Sequence, residues 1–156
     1  MKKIYNFFFI ILNTSFAFYK PKSSDILVFD EKGLGTLVPI LKNKEFNTLK
    51  VRGEELNLFI LIKMFFSFQK INYINYLLNC VKLINPRFIL HHSVNNKFFL
   101  LKKNFPNVIT IFIQSEFIYK KDITNFKSSG KCDYAFVWGK RDVKNFKNLS
   151  IKKTIL

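Results

Sequence analysis

Asp25-Ile-Leu-Val-Phe-Asp30 is a short apolar run between two aspartates, and runs of the same kind recur along this chain of 156 residues. They span residues 87–92, 108–115 and 133–139, and each ends in polar or small side chains. Strands of a parallel sheet are buried on both faces, so their sequences are continuously apolar rather than alternating. Segments of helical character separate the runs. The pattern predicts an α/β fold, with a Rossmann-like parallel sheet of about five strands flanked by helices.

The segments between these runs complete one domain. A further strand is predicted at 47–51, and residues 150–156 have the composition of the start of another. Glu54 and Glu55 suit the first turn of a helix that continues through 56–66, because negative charge is favoured there. The turn at 31–36 opens a short helix that ends at Leu41, and apolar spacing with flanking Gly, Pro and Asn residues predicts further helices at 71–84, 98–105 and 140–146. We expect a Rossmann-like domain over residues 23–156, cut before a second domain.

The N-terminal segment is apolar but too short to cross a membrane. Residues 4–19 carry no charge, and these 16 residues fall short of the ~20 that a spanning helix needs. Phe16-Ala17-Phe18 is a poor cleavage site for a signal peptide. We predict that residues 1–22 carry an apolar helix, packed on the domain or lying at a membrane surface. A signal peptide or an anchor is the alternative.

The net charge of +16 invites a nucleic-acid interpretation, but the composition argues against it. The chain has 23 Lys and only 3 Arg, and the lysines are scattered rather than clustered. Nucleic-acid sites favour arginine, whose planar fork binds phosphates and bases in pairs of hydrogen bonds. We therefore predict no nucleic-acid partner. Weak attraction to anionic membranes fits the same charge.

Cysteine and histidine usage does not indicate a metal site. Cys80 and Cys132 lie far apart and form no CxxC motif, which is typical of free thiols in a reducing cytoplasm. His91 and His92 are adjacent on a predicted strand, so their side chains point to opposite faces. No other histidine exists in the chain. We predict no metal and no cofactor.

The loops after the predicted strands hold the candidate site residues. Ligands of open parallel sheets bind outside the carboxyl ends of the strands. Gly33 and Gly35 form a strand-to-helix turn close to a ligand, although Val38 stands where a dinucleotide fingerprint needs its third glycine. Gly139 allows close approach of the backbone at the end of the last run.

Polar side chains in the other loops suggest contacts with an anionic or sugar ligand. Arg52 could bind a phosphate or carboxylate in a forked contact, with Glu54 beside it; the alternative is a surface ion pair of Arg52 with Glu54 or Glu55. Gln114 and Glu116 suit sugar hydroxyls, which both donate and accept hydrogen bonds.

The residues at 92–96 offer a general base. His92 could act as a general base and take a proton from a substrate. Asn96 would then contact the ligand from the following helix. The alternative is a hydrogen-bonded loop histidine, with Asn95 or Asn96 serving only as the cap of that helix.

The order of four motifs resembles that of bacterial surface carbohydrate biosynthesis proteins, which are similar to GT-B glycosyltransferases and polyol-phosphate transferases. The motifs lie at 25–30, 49–54, 112–114 and 133–139, and the resemblance covers residues 25–149. It implies two Rossmann-like domains with the active site between them. This chain would be the N-terminal, acceptor-side half, and the missing C-terminal domain would hold most of the donor. The family continues the glutamine with Asn-Gly, whereas Ser115-Glu116 stands here, so the loop loses the conformational freedom of glycine.

The resemblance gives a specific functional expectation. It implies transfer of a sugar or related group from a nucleotide-activated donor to an acceptor hydroxyl in surface polysaccharide biosynthesis. His92 or Glu116 would act as the base, and the substrate would contact Gly33, Gly35, Arg52, Glu54, Asn96, Gln114 and Gly139. The partners would be a nucleotide-activated sugar and a carbohydrate acceptor, in the cytoplasm and peripheral to the inner membrane. The alternative is a non-catalytic membrane-surface or interaction module with the same fold, so the sequence leaves enzymatic activity open.

Overall fold

Strands and helices alternate along most of the chain in the computed structural model. The structure describes residues 14–32, 34–92, 95–115, 131–146 and 150–155. The strands are β1 (Ser15–Ala17), β2 (Ile26–Phe29), β3 (Phe46–Leu49), β4 (Glu55–Asn57), β5 (Phe88–His91), β6 (Ile109–Ile113), β7 (Cys132–Phe136) and β8 (Ser150–Ile155). The helices are α1 (Leu34–Leu41), α2 (Leu58–Phe66), α3 (Tyr73–Ile84), α4 (Asn96–Asn104) and α5 (Lys140–Phe146).

Six of the described strands form one parallel sheet in the order β3-β2-β5-β6-β7-β8. In its register, Val28 of β2 lies opposite Thr48 on one side and Leu90 on the other. The predicted α/β, Rossmann-like sheet is therefore confirmed, and β8 extends it beyond five strands. The chain runs outward from β2 to β3 and then returns to the other side of β2 at β5.

The sheet is buried between two apolar layers. Leu27 and Phe29 of β2 contribute to the larger core, with side chains of α2, α3 and α4. Val28 points the other way, into a smaller core with Leu37 and Leu41 of α1. The side chains of Leu27, Val28 and Phe29 are fully buried, as expected for a continuously apolar strand.

Asparagine side chains fix the starts of three helices. Asn57, Asn72 and Asn95 have extended backbones, and their side-chain oxygens accept hydrogen bonds from backbone N–H groups in the first turns of α2, α3 and α4. Such caps satisfy donors that the helix itself leaves unpaired. Asn95, and not Asn96, is the cap of α4.

The N-terminal segment differs from the predicted helix. Ser15–Ala17 is extended and pairs in parallel with Glu55–Asn57, outside the large sheet. The Thr14 and Ser15 hydroxyls donate to the carbonyls of Gly53 and Glu54, at 2.7 and 2.9 Å. Backbone and hydroxyl groups of residues 14–17 thus find partners on residues 53–57. The helix prediction is wrong at residues 15–17; residues 4–13 lie outside the described ranges.

The same pairing shifts the start of the following helix. Glu55 belongs to β4 and not to the first turn of a helix, as had been expected for Glu54 and Glu55. Helix α2 begins only at Leu58, behind the Asn57 cap. Asn57 also donates from its side-chain amide to the carbonyl of Tyr19, at 2.8 Å. One residue therefore holds both the N-terminal segment and the helix start.

A buried ion pair joins α4 to the middle of the sheet. The fully buried Asp133 carboxylate accepts hydrogen bonds from the Thr110 backbone at 2.9 Å and hydroxyl at 3.1 Å, and Lys102 Nζ lies 2.8 Å from it. Lys102 also donates to the carbonyls of Pro106 and Val108. Burial favours the neutral acid, but the hydrogen bonds from Lys102 and Thr110 outweigh it and hold the pKa of Asp133 below its ordinary value.

We expect Asp133→Ala to lower the free energy of unfolding by about 3–5 kcal/mol, because Lys102 is left buried without its partner. Urea denaturation followed by circular dichroism measures the change. Asp25→Ala is the matched control: its ion pair with Arg87 is long, at 3.9 Å, and both side chains are exposed. That control should lose less than about 1 kcal/mol. Equal losses in the two variants would contradict a stabilising network.

The contribution of the Asp133 charge should depend on pH. Because the pKa of Asp133 is lower in the folded state, its charge stabilises the fold at pH values above the ordinary pKa of 3.8. This stabilisation is lost as the pH falls through the pKa of the folded state. The difference in unfolding free energy between wild type and Asp133→Asn should therefore be constant from pH 7 to about pH 5 and shrink only below about pH 4. A difference that vanishes between pH 6 and 5 would show that the pKa is not lowered.

Candidate functional site

The predicted site residues that the structure describes follow the carboxyl ends of neighbouring strands. Because the sheet is parallel, Asp30, His92, Gln114 and Gly139 leave β2, β5, β6 and β7 at the same edge. This confirms the expectation that the polar loops gather along one edge. Gly33 and Glu116 lie outside the described residues. Asn96 opens α4, and its side chain also lies outside the description.

At the carboxyl ends of the strands, the ligand crevice of an open α/β sheet is expected between β2 and β5. Strand order reverses there, because β3 lies on one side of β2 and β5 on the other. Connections from the two strands then leave to opposite faces of the sheet, and open α/β sheets bind ligands at this point. Asp30 follows β2 and His92 follows β5, each two residues beyond the paired Val28 and Leu90. The two side chains therefore flank the crevice.

Asp30 is buried and bound by Arg52. Only 1% of Asp30 is exposed, and Nη2 and Nε of Arg52 lie 2.8 and 3.1 Å from its Oδ2. The backbone N–H of Lys32 donates to Oδ1 at 3.1 Å. Asp30 has a positive φ of 95°, a strained conformation that needs support from surrounding contacts. Neither a role for Asp30 nor its pairing with Arg52 was predicted from the sequence.

Glu54 supports the loop that carries Arg52. Its carboxylate accepts a hydrogen bond from the backbone N–H of Arg52 at 2.9 Å. Gly53, between them, has a φ of 86°, which glycine adopts without strain. The predicted neighbours Arg52 and Glu54 therefore do lie together, with Glu54 shaping the backbone of the loop.

Lys97 brings a second cation to this edge. It lies in the first turn of α4, with Nζ 4.2 Å from the centre of the Tyr73 ring and 3.4 Å from the carbonyl of Val51. Burial lowers the pKa of Lys97, and the nearby charge of Arg52 lowers it further, while Asp30 and Glu54 oppose the change. Burial also raises the pKa of Tyr73 to about 12.

We call Asp30, Arg52, Glu54, Tyr73 and Lys97 the Arg52 cluster. Sequence reasoning found Arg52 and Glu54 but missed Lys97. The available signal was its position directly after Asn95-Asn96, since a helix start carries positive partial charge that suits an anion. The cluster combines two cations and two carboxylates with a helix N-terminus, and an anionic ligand beside it stays a prediction.

The two histidines have different environments. The fully buried His91 places Nδ1 2.6 Å from the carbonyl of Phe29, and its ring stacks on Phe98 at 4.8 Å. The rings of His91 and His92 meet edge to face, with their centroids 6.1 Å apart. His92 is 2% exposed, and its Nδ1 has no hydrogen-bond partner among the described residues. His91 therefore packs in the core, and the role of His92 as a base stays a prediction.

Gln114 is buried in a network within the protein. Its side-chain N–H group donates to Asp142 at 3.1 Å, and its side-chain oxygen accepts from the Trp138 backbone at 3.1 Å. These bonds fix the turn between β7 and α5. To contact a sugar directly, Gln114 would have to break its hydrogen bonds to Asp142 and Trp138. Its sugar-binding role therefore stays a prediction. Ser115 beside it donates from its hydroxyl to the His92 carbonyl.

The glycines of the edge are not required by packing. A Cβ atom placed on Gly35 or Gly139 would meet no atom within 4 Å. Space is therefore open beside both residues, as a ligand would need, but neither glycine marks an existing close contact. Their predicted substrate contacts stay predictions.

Three further features of the described residues bear on function. A cavity of about 290 Å³ lies beside β3, and its lining includes Tyr19, Glu31, Lys50 and Glu55 but none of the predicted site residues that the structure describes. The described residues contain no group of three or more His, Cys, Asp or Glu side chains suited to a metal ion. Among them, no helix combines the length and apolarity needed to cross a bilayer.

Comparison of the chain with family models, with curated proteins and with solved structures found no match. The resemblance to surface carbohydrate biosynthesis proteins therefore stays a prediction, and the argument for function depends on the site itself.

We expect Arg52→Met to lower the free energy of unfolding by about 2–3 kcal/mol, since it leaves the buried Asp30 carboxylate without its forked partner. The 40% exposure of the Arg52 side chain lets water offset part of the loss. Thermal and urea unfolding measure the effect. Lys50→Met is the control, because Lys50 pairs with Glu55 at a more exposed site and should lose less than about 1 kcal/mol. No loss in Arg52→Met would mean that Asp30 does not depend on this pair.

Proposed function

We propose that this chain is the acceptor-side, Rossmann-like half of a transferase in surface polysaccharide biosynthesis. The reaction would move a sugar or related group from a nucleotide-activated donor to an acceptor hydroxyl, with a second domain holding most of the donor. One observation carries the proposal: the cations Arg52 and Lys97 lie close together beyond the carboxyl ends of the strands, where His92, whose Nδ1 has no hydrogen-bond partner among the described residues, also leaves the sheet.

The Arg52 cluster would select an acceptor that carries a phosphate or carboxylate. Arg52 already presents a forked N–H pair to one carboxylate, that of Asp30. A second oxyanion beside it would meet Lys97 and the first turn of α4. Hydrogen bonds to charged groups are about twice as strong as neutral ones. Anionic carbohydrate, such as a sugar phosphate or a polyol phosphate, fits this chemistry better than neutral sugar.

The transfer step needs one base and one leaving group. The acceptor oxygen would bond to the anomeric carbon of the donor as the bond from that carbon to the nucleotide's phosphate oxygen breaks. The bonding electrons leave with the nucleoside diphosphate, and the acceptor proton passes to the base. His92 is the candidate base among the described residues, and Glu116 is the second candidate from the sequence. For His92, the hydroxyl must come within about 3 Å of Nδ1 inside the crevice.

A non-catalytic interaction module with the same fold is the second candidate. It is favoured by the burial of His92 and by the engagement of Gln114 with Asp142 and Trp138. A module of this kind would bind its partner without turning over a donor. Activity of the chain together with its second domain separates the two candidates.

The proposal predicts binding of glucose 6-phosphate to the full chain, measured by isothermal titration calorimetry. Glucose should bind more weakly, because it lacks the anionic group. Lys97→Gln should weaken glucose 6-phosphate binding by about tenfold or more, the value of one charge-assisted hydrogen bond. Lys44→Gln removes an exposed lysine just before β3, at the amino ends of the strands and away from the cluster, and should change nothing.

Three results would contradict the proposal. The first is no binding of glucose 6-phosphate by the folded chain, and the second is binding no tighter than that of inorganic phosphate, which would indicate only general attraction of anions. The third is equal weakening in Lys97→Gln and Lys44→Gln, which would place the binding outside the Arg52 cluster. Circular dichroism of each variant shows that the fold is retained.

A further inference from the structure

A group of large apolar side chains is exposed at the end of α2 and in the loop to α3. Ile62, Phe65 and Phe66 lie at helical spacing on the outer side of α2, and Phe68 and Ile71 follow in the loop. Their exposed fractions run from 47% for Ile62 to 98% for Phe68. We call these five residues the α2–α3 tip. Exposed apolar patches of this kind mark interaction sites.

The tip is a built feature of the fold. Ile60 and Met64 bury the inner side of α2 in the core, so the helix is apolar on both sides. Phe68 has a φ of 52°, which is unusual for a bulky residue. The backbone N–H groups of Phe68 and Gln69 donate to the carbonyls of Phe65 and Met64, at 3.0 and 3.1 Å. The closed turn therefore holds the fully exposed Phe68 side chain away from the core.

The charge around the tip favours an anionic partner. Exposed Lys63 and Lys70 flank the phenylalanines. Residues 56–115 contain no Asp or Glu but seven basic residues, in a chain of net charge +16. A second copy of the chain would bring the same positive charge to the contact and be repelled. An anionic bilayer attracts basic residues and also offers an apolar layer just below its headgroups.

We propose that the α2–α3 tip docks into the surface of an anionic phospholipid bilayer. Phe65, Phe66, Phe68 and Ile71 enter the boundary between headgroups and acyl chains, and Lys63 and Lys70 bind the lipid phosphates. The proposal is independent of the proposed transferase function, because it depends only on this surface. The sequence suggested a membrane contact for residues 1–22 and for the apolar stretch 56–66, and the proposal narrows the contact to the end of α2 and the loop that follows it.

Co-sedimentation of the full chain with vesicles tests the proposal. The chain should bind vesicles of phosphatidylcholine with phosphatidylserine, and binding should fall at high salt. Phe66→Ser/Phe68→Ser should reduce the partition coefficient by about tenfold or more, because two apolar side chains no longer enter the bilayer. Lys63→Gln/Lys70→Gln should reduce binding by roughly 30-fold on these vesicles and leave binding to pure phosphatidylcholine unchanged.

Val38→Ser/Ile40→Ser is the matched control, since these exposed side chains belong to α1, on the opposite face of the sheet. It should bind like wild type. Equal loss in this control, or unchanged binding of both tip variants, would overturn the proposal. So would vesicle-independent dimers that Phe66→Ser/Phe68→Ser converts to monomers in light scattering, because the tip would then bind a second copy. All four substitutions to serine are at exposed positions, so circular dichroism should show intact folds.

Discussion

Strand β2 is buried on both faces and paired with a neighbouring strand on both sides, and the rest of the structure depends on this constraint. Leu27 and Phe29 fill one core and Val28 the other, while β3 and β5 pair with the two edges. Burying each such side chain contributes about 1.5–3 kcal/mol, and a shift of register by one residue would exchange the two faces. Only the ends of β2 can then reach a ligand, and its carboxyl end leads directly to Asp30.

This constraint explains why charged residues are so closely bound at the crevice. A chain leaving a fully buried strand has little freedom, and Asp30 takes a positive φ while its carboxylate is still buried. Both features are unfavourable unless a partner compensates for them, and Arg52 does so from the loop that follows β3. The ion pair in turn fixes Arg52 beside Lys97. The Arg52 cluster is therefore assembled by the same contacts that keep β2 in place.

Local patterns predicted the framework, and contacts between distant segments accounted for most of what was missed. The strands were predictable because doubly buried strands are continuously apolar, and the shared edge followed from their parallel direction. The pairing of Asp30 with Arg52 and of Lys102 with Asp133 joins residues far apart in sequence, so no spacing rule indicates it. The apolar sequence around Ser15–Ala17 is compatible with a helix or a strand. Its pairing with β4, which is distant in sequence, makes it a strand. The geometry at Gln114 likewise depends on Trp138 and Asp142, which the sequence does not connect to it.

The two proposed surfaces are adjacent in the chain, which has a consequence for how a substrate would arrive. Ile71 of the α2–α3 tip is two residues from Tyr73, whose ring contacts Lys97 in the Arg52 cluster. Two extended residues span at most about 7 Å. A bilayer bound by the tip would therefore lie beside the cluster, and an acceptor anchored in that bilayer could place its anionic group next to Arg52 and Lys97 without leaving the membrane. Attachment to a surface raises the local concentration of such an acceptor through the same effect that strengthens linked binding sites. The positive charge around both surfaces would then serve one purpose, which is to hold an anionic substrate and the anionic membrane that carries it.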